Sequence, residues 1–169
     1  MEDHAMSWLK VGVCGFATLL LAMTSAPVSA EIRGAVLKGY EEVPAISTQA
    51  NGLFAAFVAD DGGSIAWTLV YSGLEGGTVS AAHIHLGQPA VAGAIVIHFC
   101  GTGGKPPCPP SPGTLQGTST AADVVAVPAQ GIAAGEIQEV VRAIREGQAY
   151  VNVHTTPAYP AGEIRGQIK

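Results

Sequence analysis

Apolar and polar residues alternate along much of the chain, and clusters of turn-forming residues separate the alternating segments. Residues 52–59 are mainly apolar, and residues 65–71 place a large apolar side chain at every second position. Between them lies the sequence Asp-Asp-Gly-Gly at 60–63, which is typical of a tight turn. The two segments therefore predict a β-hairpin.

The same pattern predicts further short strands and one helix. The strands lie at 79–86, 94–99, 149–154 and 163–168, with weaker candidates at 115–119 and 124–127. Residues 133–146 have helical spacing instead, because their large aliphatic residues fall on one face and Gly147 suits the C-terminal end. We therefore predict an all-β fold, an antiparallel β-sandwich or barrel of short strands with one helix in the C-terminal third.

The two ends of the predicted domain share a tetrapeptide. Glu-Ile-Arg-Gly occurs at 31–34 and again at 163–166. Four residues can match by coincidence, but the match also fits two similar strands supplied by the two ends to one sheet. It is too short to predict a repeat fold.

Length and composition favour one globular β domain. The chain has 169 residues, of which 48% are hydrophobic and 12% are charged, and its 22 glycines and 11 prolines fit many turns. The net charge is −5 and the sequence has no basic run. Nucleic-acid binding and a polybasic membrane patch are therefore excluded as functions, since both need clustered lysines and arginines.

The first thirty residues have the pattern of an export signal. The apolar segment 11–23 follows Lys10, and Val28-Ser29-Ala30 fits the small-x-small cleavage pattern. We predict a cleaved signal peptide at 1–30, a β domain at 31–169 and a secreted or periplasmic location, with no stable membrane insertion after cleavage. An uncleaved anchor is the alternative, and translation from Met6 instead of Met1 would give a more usual n-region.

Signal cleavage would leave two cysteines, Cys100 and Cys108. In an oxidising compartment such a pair predicts one disulfide, here closing a short loop rich in proline and glycine. A bridge over a loop of this length contributes about 2–3 kcal/mol.

Two histidines on one predicted strand carry the strongest chemical signal. His83 and His85 are two positions apart, so their side chains point to the same face of the strand. Ile84 points to the opposite face, which we expect to be the core. A His-x-His pair on a strand is a common way to hold a first-row transition metal, although the pair alone is a weak signal.

Two further predicted strands also set polar residues opposite apolar ones. His154 shares a face with Asn152, and Glu163 shares a face with Arg165 that we expect to point outward. If these strands are neighbours of segment 79–86, the first two imidazoles converge with His154 and Glu163. Asn152, Glu163 and Arg165 are then neighbours of the metal or extra ligands, and Arg165 would pair with Glu163 or attract an anion.

The predicted site has three imidazole ligands and suits zinc or copper. The ligands are His83, His85 and His154. His98 lies in another strand, where a packed or hydrogen-bonded histidine is more common, and it is an outside candidate for a fourth ligand. In the alternative interpretation the same residues hold no metal, and are surface residues or form a structural hydrogen-bond network.

Motifs of several enzyme classes are missing from the sequence. It has no serine nucleophile elbow, phosphate loop or dinucleotide-binding glycine pattern. Glu41 and Glu42 are adjacent and should point apart, so they do not predict an acid–base pair. Three hypotheses stay open: a metal-binding module with an unidentified protein or small-ligand partner, a structural or adhesive domain without metal, and a copper redox enzyme.

Several motifs together resemble one family. Residues 37–44 resemble "L-x-G-x-x-E-V-P", residues 82–87 resemble "A-H-I-H-x-G", and residues 150–168 resemble "Y-V-N-V-H-T…P-x-G-E-I-R-G-Q-I". This combination is similar to the CHRD domain family, named for repeats of the extracellular protein chordin. The resemblance implies an extracytoplasmic domain similar to a β-sandwich, and it implies no defined molecular activity.

Overall fold

Eight strands and one helix form the domain in a computed structural model, which describes residues 31–169. The strands are β1 (Glu31–Lys38), β2 (Asn51–Val58), β3 (Ser64–Ser72), β4 (Gly77–Leu86), β5 (Ala94–Cys100), β6 (Gly113–Thr120), β7 (Ala149–Pro157) and β8 (Tyr159–Gln167), and the helix is α1 (Ile137–Arg145). The predicted signal peptide, residues 1–30, lies outside the described residues. Within 31–169, no helix has both the length and the hydropathy needed to cross a membrane.

The strands form one antiparallel sheet that curls into a nearly closed barrel. Their spatial order is β5-β4-β7-β8-β1-β2-β3-β6. The two edge strands, β5 and β6, approach each other. The segment that follows β6 is bonded to β5, since Val125 N donates a hydrogen bond of 2.9 Å to Val96 O. Across the interior, the Phe99 ring lies 4.0 Å from Trp67 and 5.7 Å from Phe54, centroid to centroid. The all-β prediction is therefore confirmed.

The two ends of the domain meet in this sheet. β1 pairs with β8, and Gly34 and Lys169 exchange two backbone hydrogen bonds of 2.9 Å each. The expectation that the repeated tetrapeptide supplies strands to one sheet is confirmed. The reason is that β1 and β8 are direct neighbours at the centre of the strand order.

Two of the predicted elements need correction. The strand expected at 124–127 is wrong, because Val124 and Val127 form only isolated bridges, with Ile97 and Ile132. The helix begins at Ile137 and not at 133, since Gly135 has a left-handed φ of +86° that a helix does not accommodate. Its aliphatic face is buried as predicted.

The polar faces of β4, β7 and β8 are buried under loops. Alternation holds, since Ile84, Val151 and Ile164 lie fully buried in the core on the opposite face. However, the expectation that Glu163 and Arg165 face outward is wrong, because they are 0% and 2% exposed. Loops between the strands cover this face, which encloses the candidate site.

Candidate metal centre

Three adjacent strands bring the histidines together. β4 lies between β5 and β7, and the metal hypothesis required its contact with β7. His83 is opposite His98 on one side and Asn152 on the other, and Asn152 is in turn opposite Arg165 on β8. His154 is opposite Ala81, and the register of the β4–β7 pair shifts next to this position, between Val79 and Ala81. The assumption that the strand of His154 borders segment 79–86 is therefore confirmed, whereas the strand of Glu163, β8, borders β7 and not β4.

Three of the imidazoles form a compact group. One ring nitrogen from each of His83, His85 and His154 lies within 4.8 Å of the other two. The closest pair is His83 Nδ1 and His154 Nε2, at 3.2 Å. His83 and His85 are buried and His154 is half-buried. This group could hold a metal ion.

Backbone carbonyls fix two of the three rings. His85 Nδ1 lies 2.9 Å from Gly93 O, and His154 Nδ1 lies 3.0 Å from Pro160 O. A carbonyl oxygen can only accept, so Nδ1 carries the proton in each neutral ring and Nε2 carries a lone pair. Metal-ligating histidines are usually oriented in this way by their second nitrogen. His85 Nε2 is buried and has no hydrogen-bond partner in the described part of the chain.

Tyr150 and Arg165 support the ring of His85. The Tyr150 ring stacks on His85 with centroids 4.7 Å apart and planes 8° apart, and its hydroxyl accepts a hydrogen bond of 3.0 Å from Gly93 N. The Arg165 Cζ lies 3.4 Å from the Tyr150 centroid, and Arg165 Nη2 donates to Gln88 O at 2.9 Å. The expected pairing of Arg165 with Glu163 is wrong, because the guanidinium is turned toward the tyrosine.

The ring of His83 contacts a loop residue that the sequence did not indicate. Its Nε2 lies 2.6 Å from Thr102 Oγ1, which in turn lies 2.9 Å from His98 Nδ1. Thr102 belongs to the loop between Cys100 and Cys108, and these cysteines form the predicted disulfide. His98 is next to His83, with ring centroids 4.9 Å apart, but it lies outside the group of three. Nothing in a proline- and glycine-rich loop shows that a threonine will reach a strand.

Burial keeps the three imidazoles neutral. It lowers the pKa of His83 to about 3, helped by the charges that His154, His85 and His98 would carry. Burial lowers the pKa of His85 to about 4 and also lowers the pKa of His154. Neutral imidazole is the form that binds a metal, so the group is competent for binding at neutral pH.

The family comparison agrees with the motifs that supply these residues. Residues 33–168 match the CHRD domain. The chain belongs to the CHRD domain family. The match includes the segments 82–87 and 150–168, which carry the three histidines. Comparison with curated proteins and with solved structures gave no match.

A buried carboxyl of this CHRD domain lies beside the histidine group. Asn152 Oδ1 is 2.9 Å from His154 Nε2, and a Cβ placed on Gly162 would lie 2.8 Å from Asn152 Nδ2 and 2.4 Å from Glu42 Oε1. Asn152 is therefore close to both His154 and the Glu42 carboxyl. Burial raises the pKa of Glu42 to about 7, although the positive charge of Arg165 acts against this. Sequence reasoning considered Glu42 only as one of two carboxylates that point apart, and missed its burial.

Glu163 of the CHRD domain lies outside the histidine group. Its carboxylate accepts hydrogen bonds from Thr48 Oγ1 at 3.0 Å and Thr155 Oγ1 at 2.6 Å. It also accepts from the backbone N–H groups of Glu75 at 2.7 Å and Gly76 at 3.1 Å. These four donors show that Glu163 anchors two covering loops to β8.

Proposed function

We propose that this CHRD domain is an exported module that binds one transition metal ion, zinc or copper. The ligands are His83 Nδ1, His85 Nε2 and His154 Nε2. The observation that carries the proposal is the lone pair on His85 Nε2, which is buried and lacks a hydrogen-bond partner among the described residues. A metal ion bound there gives this nitrogen the partner that a buried polar atom requires.

The geometry and the chemistry of the donors support this choice. Tetrahedral zinc with Zn–N bonds of about 2.0–2.1 Å holds its nitrogen ligands about 3.3 Å apart. His83 Nδ1 and His154 Nε2 are 3.2 Å apart. An all-nitrogen site binds copper more tightly than zinc, and metal availability can favour zinc. Three protein ligands leave a fourth position, and Asn152 Oδ1 is the adjacent oxygen.

The metal-free alternative has one observation in its favour. A separation of 3.2 Å between His83 and His154 also fits a direct hydrogen bond between the rings. In that arrangement His85 Nε2 keeps its unpaired lone pair, at a cost of about 1–3 kcal/mol. A metal ion removes this cost, so we favour metal binding.

Metal analysis of protein purified without a polyhistidine tag tests the proposal. We expect one zinc or copper per chain, and a gain in melting temperature when metal-free protein receives either ion. His83→Ala, His85→Ala and His154→Ala should each weaken binding at least 100-fold, whereas the matched control His98→Ala should keep one ion per chain. Wild-type protein that retains no ion, and whose melting temperature neither metal changes, would exclude the proposal.

Export is the second part of the proposed function. The signal-like segment at 1–30 and the Cys100–Cys108 disulfide both support an extracytoplasmic location. Mass spectrometry of the protein recovered from an expressing culture tests this. We expect a mature chain beginning at Glu31, and recovery of the uncleaved chain with the cells would contradict export.

A further inference from the structure

We infer that Thr102 is a positioning residue for the metal site, and that metal binding reverses the hydrogen bonds of the chain His83–Thr102–His98. The inference rests on the proposed metal function. Each of the three ligand histidines has one group bonded to its second ring nitrogen. Of these three groups, Thr102 is the one that is a side chain. Gly93 and Pro160 act through backbone carbonyls, whereas Thr102 acts through a hydroxyl that a substitution can remove.

The chain has two possible directions. Thr102 Oγ1 is 2.6 Å from His83 Nε2 and 2.9 Å from His98 Nδ1. A hydroxyl has one proton, and a neutral imidazole has one N–H group. When the hydroxyl proton is shared within this chain, Thr102 donates to one ring and accepts from the other, and the position of the proton on His83 decides which.

Without metal, the contact between His83 and His154 sets the direction. His154 Nδ1 donates to Pro160 O, so His154 Nε2 can only accept, and His83 Nδ1 must donate to it over 3.2 Å. His83 Nε2 then has the lone pair and accepts from Thr102. Thr102 in turn accepts from His98 Nδ1, which therefore carries the proton of that ring.

With metal, the direction is the opposite. A metal ion on His83 Nδ1 takes the lone pair there, so the proton of this ring is on Nε2 and is donated to Thr102. Thr102 then donates to His98 Nδ1, and the proton of His98 is on Nε2. One proton leaves His83 Nδ1 and one is taken up at His98 Nε2, so the charge on the protein side chains does not change. His98 is half-buried and can exchange this proton with water.

The disulfide-closed loop holds Thr102 in place. Besides the bridge, Gly101 N donates to Pro106 O at 2.8 Å, and Lys105 Nζ lies 2.6 Å from Asp123 Oδ1. Gly103 has φ +61°, and a Cβ there would lie 2.3 Å from the His98 ring, so the loop packs directly on that histidine. The loop between Cys100 and Cys108 therefore places the Thr102 hydroxyl between the rings of His83 and His98. In the sequence this loop was marked only by its prolines, glycines and cysteines.

Two substitutions at one position test the positioning role. Thr102→Val keeps the shape and removes the hydroxyl, whereas Thr102→Ser keeps the hydroxyl. Zinc affinity, measured by competition with a chromophoric chelator, should fall about 10–100-fold in the valine variant, the usual effect of losing such a partner. In the serine variant it should stay within about threefold of wild type. Equal affinities in wild type and Thr102→Val would overturn the positioning role.

Nitrogen-15 NMR of the histidine rings tests the reversal in wild-type protein, independently of whether either variant folds. We expect His98 to carry its proton on Nδ1 without zinc and on Nε2 with zinc, and we expect zinc to leave the His98 tautomer unchanged in Thr102→Val. The same wild-type tautomer with and without bound zinc would overturn the reversal while leaving the metal function intact. Wild-type protein that binds neither zinc nor copper would instead overturn the metal function itself.

Discussion

The buried carboxyl of Glu42 should make the domain less stable as the pH rises. Burial raises its pKa from 4.5 to about 7 in the folded protein. Between these two values the unfolded chain releases the proton while the folded chain keeps it, so the folded state binds more protons and the free energy of unfolding falls with increasing pH. Replacing Glu42 with the neutral, isosteric glutamine removes this dependence.

The size of the effect follows from the two pKa values. A difference of one pH unit corresponds to 1.36 kcal/mol, so the step from 4.5 to about 7 corresponds to about 3 kcal/mol. This value already contains the attraction between Glu42 and Arg165, which the glutamine variant also loses. We expect Glu42→Gln to match wild type near pH 4.5 and to exceed its stability by about 3 kcal/mol at pH 8. For a domain of this size the gain corresponds to roughly 6–12 °C in melting temperature.

Urea unfolding of metal-free protein across pH 4.5–8 measures this difference. The buried histidines act in the opposite sense: their low pKa values remove stability as the pH falls below about 6.5. They are the same in both proteins and cancel in the comparison. Glu41→Gln, which removes a carboxyl from the exposed neighbouring position, is the matched control. A difference between Glu42→Gln and wild type that stays constant from pH 4.5 to 8 would refute the reasoning.

Three further predictions follow from the site and its supports. Glu163→Gln should destabilise the fold by about 2–4 kcal/mol in urea unfolding, because a buried carboxylate loses charge-assisted hydrogen bonds, and zinc affinity should change less than tenfold. Because the pKa values of His83 and His85 are about 3 and 4, zinc affinity from calorimetry should fall less than tenfold between pH 7 and 5.5, and a loss above 100-fold would contradict it. Replacing Cys100 and Cys108 with serine should cost about 2–3 kcal/mol, and unchanged unfolding would show that the bridge adds no stability.

The local part of the site was predictable from the sequence. Side chains two positions apart on a strand share a face, which placed His83 with His85 and His154 with Asn152 before any strand order was known. The same local rule placed Ile84 and Val151 in the core, where the structure has them. Most strand positions and the buried face of the helix also followed from the period of the hydrophobic pattern.

The sequence alone determined the all-β architecture, the pairing of the two cysteines and which side chains share a strand face. Only the tertiary structure decided that β4 lies beside β7, that loops bury the polar face, and that Thr102 joins the site while Glu163 does not. The physical reason is the distance along the chain over which each effect acts. Alternation depends on backbone geometry within a few residues, whereas burial and the pKa of Glu42 depend on groups far apart in the chain that only packing brings into contact.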